Sequence, residues 1–256
     1  MVYISMAIFI LCVFLIGGSV FSFVNVIADR LPENESVVKG RSHCDECRKQ
    51  LKFIEMIPVF SYILLRGKCR HCGAKLSKRY FVTELIGGIL ALYTVYVYWC
   101  NPMQMIMAFV FIAVLACVFL IDMDTMTIPN EVVIAMFIVA VISVFVYNDL
   151  SIMSRIIGFF DVSLPLLLIT MAINGAFGGG DIKLMAATGV FLGWKLNLFA
   201  LFAAIITGGI YGIVLLSKGG KNKNSHFAFG PFLAVGCVAA LFWGESILNW
   251  YIGLFL

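Results

Sequence analysis

Asp181 closes the run Gly178-Gly179-Gly180-Asp181, and a second acidic cluster, Asp122-Met123-Asp124, lies upstream. Both stand at the ends of long apolar runs. A carboxylate at a membrane boundary is costly to keep there and asks for a functional explanation. Two carboxylates about 3 Å apart cannot both ionise. One stays protonated and polarises a scissile carbonyl, while the other takes a proton from the attacking water. That is the chemistry of aspartyl proteolysis, and it needs no cofactor. Asp122 ends its apolar run and is the first choice of partner for Asp181; Asp124, nearer the loop, competes as a solvated or supporting acid. Gly178, Gly179 and Gly180 permit close helix contact and leave backbone groups for an extended substrate strand. Lys183 either acts on a neighbouring carboxylate through its charge or anchors its helix at the interface. Asp161 is a third candidate, but it falls toward the outer half of its helix and reads as a partly snorkelled or helix-paired carboxylate; Glu84 reads as the partner of Arg79 or another nearby base.

Cys44-x2-Cys47 and Cys69-x2-Cys72 are separated by 21 residues. Two short turns, each offering two thiolates, can close a tetrahedron around Zn²⁺. Four cysteines complete such a site, so His43 and His71 read as surface residues and the zinc as structural. Metal binding would fold a segment too small to have much of a core. The other cysteines, Cys12, Cys100, Cys117 and Cys237, read as small hydrophobes in helix packing.

The chain that must position these residues has 256 residues, of which 62% are hydrophobic and 12% charged. Its mean hydropathy is +1.03. This excludes a soluble domain and predicts an all-α polytopic membrane protein. Apolar runs near 2–28, 81–100, 103–121, 131–147, 156–174, 182–194, 196–217 and 227–256 suggest about eight transmembrane helices. The first reads as a retained helix, since it has no basic start and Arg30-Leu31-Pro32 follows it. The run at 182–194 is short, and the last contains Glu245 and reads as kinked or ending outside the membrane. No internal repeat is obvious. Three domains are expected: a first helix at 1–28, a zinc-binding segment at 29–80, and a membrane core at 81–256. The stretch from Asp29 to Tyr80 holds 12 of the 18 Lys and Arg residues, which places it in the cytoplasm. Eight alternating spans then put both termini outside. Asp122, Asp181 and the Lys218–Ser225 loop fall inside, leaving only Arg155 and Lys195 among the basic residues on the outer side.

Several motifs in this order resemble the type IV prepilin peptidase family, the bacterial inner-membrane GxGD aspartyl proteases. Ser22-Phe23-Val24-Asn25-Val26 and Arg30-Leu31-Pro32 resemble its first-helix motif, with Phe21 where that motif has Gly. Pro58-Val59-Phe60-Ser61-Tyr62, Leu65-Arg66-Gly67-Lys68-Cys69, Ser77-Lys78-Arg79-Tyr80 and Glu84-Leu85 are similar to its zinc-domain exit. Asp122 through Ile128-Pro129-Asn130 matches its D-x5-I-P motif, and Gly178 to Leu184 its second aspartate motif. The resemblance implies catalysis by Asp122 and Asp181. It implies removal of the basic leader, after a glycine, from prepilins or type II secretion pseudopilins at the cytoplasmic membrane face. It also implies a second activity in many members, N-methylation of the new terminus with S-adenosylmethionine, for which no Gly-rich fingerprint marks a site. The expected partners are these substrates and the lipid bilayer, not nucleic acid. Two other classes fit less well. A proton-coupled transporter would use intramembrane acids, but no broken-helix repeat pair is evident. A noncatalytic assembly factor would leave the carboxylate pair without a purpose.

Overall fold

A computed structural model describes residues 2–38, 42–44, 46–173, 175, 177–217 and 227–254. The expected Lys218–Ser225 loop lies outside them. The described residues are helical apart from turns, loops and two isolated β-bridges. Contacts divide the chain into two compact units, Met1–Met105 and Ile106–Leu256.

The first unit is built on α1 (Val2–Arg30) and α3 (Lys78–Val97). Leu31-Pro32 ends α1, because proline disfavours helix in the residue before it. The Ser77 hydroxyl caps α3 by accepting the Arg79 N–H at 3.3 Å. Glycines let the two helices touch: a Cβ on Gly17 would lie 2.5 Å from both Ala91 Cβ and Gly87 O, and one on Gly88 2.5 Å from the Phe14 ring. Phe21 is accommodated the same way, its ring filling the place of a Cβ at Gly87. The bulk on α1 is thus matched by a space on α3.

Between these helices lie a 3-10 turn (Phe53–Met56) and the short α2 (Phe60–Leu64). Glu84, expected to pair with a base, is instead buried and accepts the Val59 N–H at 2.8 Å, while Arg79 pairs with Asp29 at 3.5 Å. Val59 sits at φ 65, ψ −50, and the Phe60 N–H reaches Pro58 O at 2.6 Å. That is a strained γ-turn, rare for a β-branched residue. Glu84 holds it by its one N–H.

The second unit contains most of α4 (Pro102–Thr125), then α5 (Asn130–Val146), α6 (Ile152–Asp161), α7 (Ser163–Ala172), α8 (Gly179–Ser217), α9 (Gly230–Ala239) and α10 (Glu245–Ile252). Asn197 shows that α8 is not one rod. Its side-chain amide reaches Met185 O at 3.3 Å, and its carbonyl accepts the Thr188 hydroxyl at 3.1 Å. Twelve residues of straight helix would separate 197 from 185 by about 18 Å. The chain doubles back at Gly193, at φ 75, ψ 168, a conformation nearly confined to glycine. A five-residue π-helical segment, Ala240–Gly244, joins α9 to α10 just before Glu245.

Among the described residues, six helical stretches are long and apolar enough to cross a membrane, against about eight expected. The difference has two sources. The expected runs 182–194 and 196–217 are two helical arms that meet at the Gly193 bend and count together as one stretch, and Asn130–Val146 is a shorter apolar helix of 17 residues. The protein is a polytopic membrane protein.

The Gly193 bend leaves carbonyls that no helical N–H can reach, and these must be satisfied within the protein. Arg155 does this. It is 3% exposed, and its guanidinium donates to Val190 O at 2.8 Å, Tyr147 O at 3.0 Å, Ser143 O at 3.2 Å and Ser143 Oγ at 2.9 Å. It ties the end of α5 to the end of the first arm of α8. Gly158 and Gly189 bring α6 and that arm into backbone contact. Asp161 accepts the Asn197 amide at 2.8 Å, so this acid belongs to the bend, as a helix-paired group.

Candidate functional site

Two groups of residues gather chemistry. The first is in the Met1–Met105 unit. Cys44, Cys47, Cys69 and Cys72 place their sulfurs within 4.8 Å of one another. A tetrahedral ion with metal–sulfur bonds of about 2.3 Å needs sulfurs about 3.8 Å apart, and Cys44 and Cys72 stand at 3.8 Å. The donor set fits a soft divalent ion closed on all four sides. His43 and His71 are exposed and are not members of the cluster.

The two halves of this cluster repeat each other at an offset of 25 residues. The Cys44 N–H bonds Lys49 O at 3.0 Å and the Cys69 N–H bonds Ala74 O at 2.8 Å. Arg48 and Gly73 return to Cys44 O and Cys69 O, and Leu51 and Leu76 to Ser42 O and Gly67 O. The bridges His43–Gln50 and Lys68–Lys75 complete the match. An internal repeat is therefore present where none was expected. Its trace in the chain is C-x2-C-x3-L, short enough to be hidden by the dissimilar residues between. Each turn needs a left-handed residue after its second cysteine; Gly73 takes it at φ 74 and Arg48 at φ 57. The backbone N–H groups of Cys72 and His71 lower the Cys69 thiol to about 7. It is then partly thiolate near neutral pH, the form that binds metal.

The second group lies in the Ile106–Leu256 unit. Asp122 is in the last turn of α4 and Asp181 in the first turn of α8. They are 4% and 8% exposed, whereas Asp124 is exposed. Asp181 lies within electrostatic reach of Asp122. Each carboxylate accepts one backbone N–H from a glycine. Gly178 donates to Asp181 Oδ2 at 3.2 Å, and Gly230, the first residue of α9, donates to Asp122 Oδ2 at 2.9 Å. The Asp181 contact is half of a capping box at the start of α8. Two buried acids share a single proton when they come within hydrogen-bonding distance.

The two motifs are also fastened to each other. A Cβ on Gly180 would lie 2.8 Å from Ile128 Cβ, so the third glycine of the run makes room for the isoleucine after Asp122. Lys183 Nζ donates to Asn130 Oδ1 at 2.9 Å. Gly179 has open space where a Cβ would stand. Ile128 and Asn130 belong to the D-x5-I-P match, whereas Gly230 does not stand out as a site-forming residue from the chain alone. For Gly230 a signal exists: Gly-Pro opening an apolar run is a helix start. Nothing in the chain says that this start meets Asp122.

Comparison with known proteins identifies the family. Residues 15–98 match the bacterial Peptidase A24 N-terminal domain, and residues 109–213 match the type IV leader peptidase family. A protein of Legionella pneumophila named prepilin leader peptidase/N-methyltransferase is 33% identical over 84% of this chain and 77% of its own length. One of the same name from Bacillus subtilis is 32% identical over 95% of this chain and 98% of its own. Another from Pseudomonas aeruginosa is 26% identical over 95% and 93%. No solved structure matches. With two matched regions in order and these relatives aligned over 77% to 98% of their own length, the chain belongs to the type IV leader peptidase family.

Proposed function

We propose that this protein is a membrane aspartic endopeptidase that removes the basic leader from prepilins or pseudopilins, with Asp122 and Asp181 as its catalytic residues. The observation that carries the proposal is the burial of these two acids together where α4 ends and α8 begins, in a chain of this family. One acid, protonated, polarises the scissile carbonyl; the other, ionised, takes a proton from water as it attacks. The tetrahedral intermediate collapses when the acid returns a proton to the leaving amine. Gly178, Gly179, Gly180 and Lys183 support the loop and helix start that carry Asp181. Functionally, 1–28 is a first membrane helix, 29–80 the metal-binding segment and 81–256 the protease core. The basic 29–80 segment and both acids face the cytoplasm, with both termini on the opposite side of the bacterial inner membrane.

Zn²⁺ is the ion proposed for the four cysteines, in a structural role. N-methylation of the new terminus is the second proposed activity, following the names of the relatives. S-adenosylmethionine would supply the methyl group. Among the described residues there is no strand, hence no glycine-rich strand-to-helix turn of the nucleotide-binding kind, and no residue is assigned to the donor.

The test uses purified protein in detergent with a basic-leader prepilin, read by mass. Asp122→Ala and Asp181→Ala should each slow leader removal by about 10²–10⁴-fold or more while protein level holds. Full activity in either variant removes that residue from the mechanism. An added methyl mass on the product reports the second activity.

A further inference from the structure

Asp122 owes its position to a residue 108 places away. Gly230 is buried and donates its backbone N–H to Asp122 Oδ2 at 2.9 Å. A Cβ at this position would stand 2.7 Å from that oxygen, 3.0 Å from Cγ and 3.2 Å from Cβ of Asp122. The backbone of Gly230 is not left-handed. Glycine is therefore needed here for space, not for backbone freedom. Any side chain would push the carboxylate off the N–H that holds it.

The donor is itself held firmly. Phe232 and Leu233 return N–H bonds to Phe229 O, at 3.0 and 3.2 Å, starting α9 at this point. Gly236 seats the same helix on the second arm of α8, where its Cβ would lie 2.3 Å from Ala200 O. Phe229 also meets Phe177 with ring centroids 5.8 Å apart. Phe177 precedes Gly178, whose N–H holds Asp181. The segments that tether the two acids thus brace one another. Two helix N-termini, those of α8 and α9, converge on the pair, each with a partial positive charge of about half a unit.

We propose that Gly230 is a positioning residue for the acid pair, its N–H fixing the Asp122 carboxylate in the orientation from which it works with Asp181. This rests on the proposed catalytic role of Asp122, and the experiment separates the two. Gly230→Ala, Asp122→Ala and the double variant are compared with the parent protein in detergent, by prepilin cleavage kinetics and thermal unfolding. Displacing a reacting group by about 1 Å costs about 10²-fold. Gly230→Ala should therefore lower kcat by about that factor with KM within about threefold. Any loss of stability in Gly230→Ala should be relieved in the double variant, where the clashing carboxylate is gone. If Gly230→Ala cleaves like the parent while Asp122→Ala is inactive, the positioning role is wrong and the catalytic reading stands. If Gly230→Ala destabilises the Asp122→Ala protein as much as the parent, the glycine serves packing alone and the proposal falls. If Asp122→Ala retains full activity, the catalytic reading fails first.

Discussion

Among single residues, the cysteines allow the most direct prediction. Four sulfurs at metal-binding separation give a closed site, and a closed site folds its segment. Replacing Cys44 and Cys47 by Ser leaves two thiolates and should release bound zinc, measured by atomic absorption, with a fall in thermal stability. Unchanged zinc content would disprove the assignment. The residue types and spacing of both sites are legible in the chain itself: two C-x2-C pairs, and two acids ending apolar runs. What the chain does not display is contact over distance. Glu84 reads as an ion-pair partner because basic residues are near it in sequence. In the fold it meets the N–H of Val59, which no local pattern announces. Asp161 reads as a helix-paired carboxylate; its actual partner, Asn197, lies 36 residues on, across the Gly193 bend.

At the scale of the helix, the informative feature is the reversal inside α8. The first arm, 179–192, is about 21 Å long, well short of the roughly 30 Å hydrocarbon core. Its far end is therefore capped by protein, with Arg155 satisfying carbonyls that water would otherwise meet. Gly193 makes the reversal possible. A Cβ there would lie 2.7 Å from Ser154 Oγ and 2.8 Å from Leu150 Cδ1, in a backbone conformation that resists any side chain. Gly193→Ala should cost about 1–3 kcal/mol, seen as a lowered unfolding temperature in detergent; an unchanged temperature would show that the bend tolerates a side chain. The apolar runs on either side of Gly193 are readable as separate passes. The left-handed reversal between them is not, because hydropathy registers length and composition but not the sign of φ. The π-helical segment at Ala240–Gly244 is a milder case, where Glu245 hints at an irregularity and its location comes only with the fold.

For the whole molecule, the order of helices decides which ends share a face. In the Ile106–Leu256 unit the C-terminus of α4 and the N-termini of α8 and α9 meet, as the Gly230–Asp122 bond requires. The reversal at Gly193 is what returns the chain for this. In the topology proposed from the distribution of Lys and Arg, that shared end faces the cytoplasm. Single cysteines at 124 and 148, in a variant lacking Cys12, Cys100, Cys117 and Cys237, should then differ in whole cells. Position 148 should react with an impermeant maleimide and position 124 only after permeabilisation; the reverse pattern would invert the proposed topology. The tether from α9 has a consequence for synthesis. Both acids are already translated when the ribosome reaches Gly230, 49 residues beyond Asp181. Until α9 enters the bilayer, Asp122 lacks the Gly230 N–H that holds it. With the roles proposed for Asp122 and Gly230, a nascent chain carries its acids unarmed until α9 has joined them.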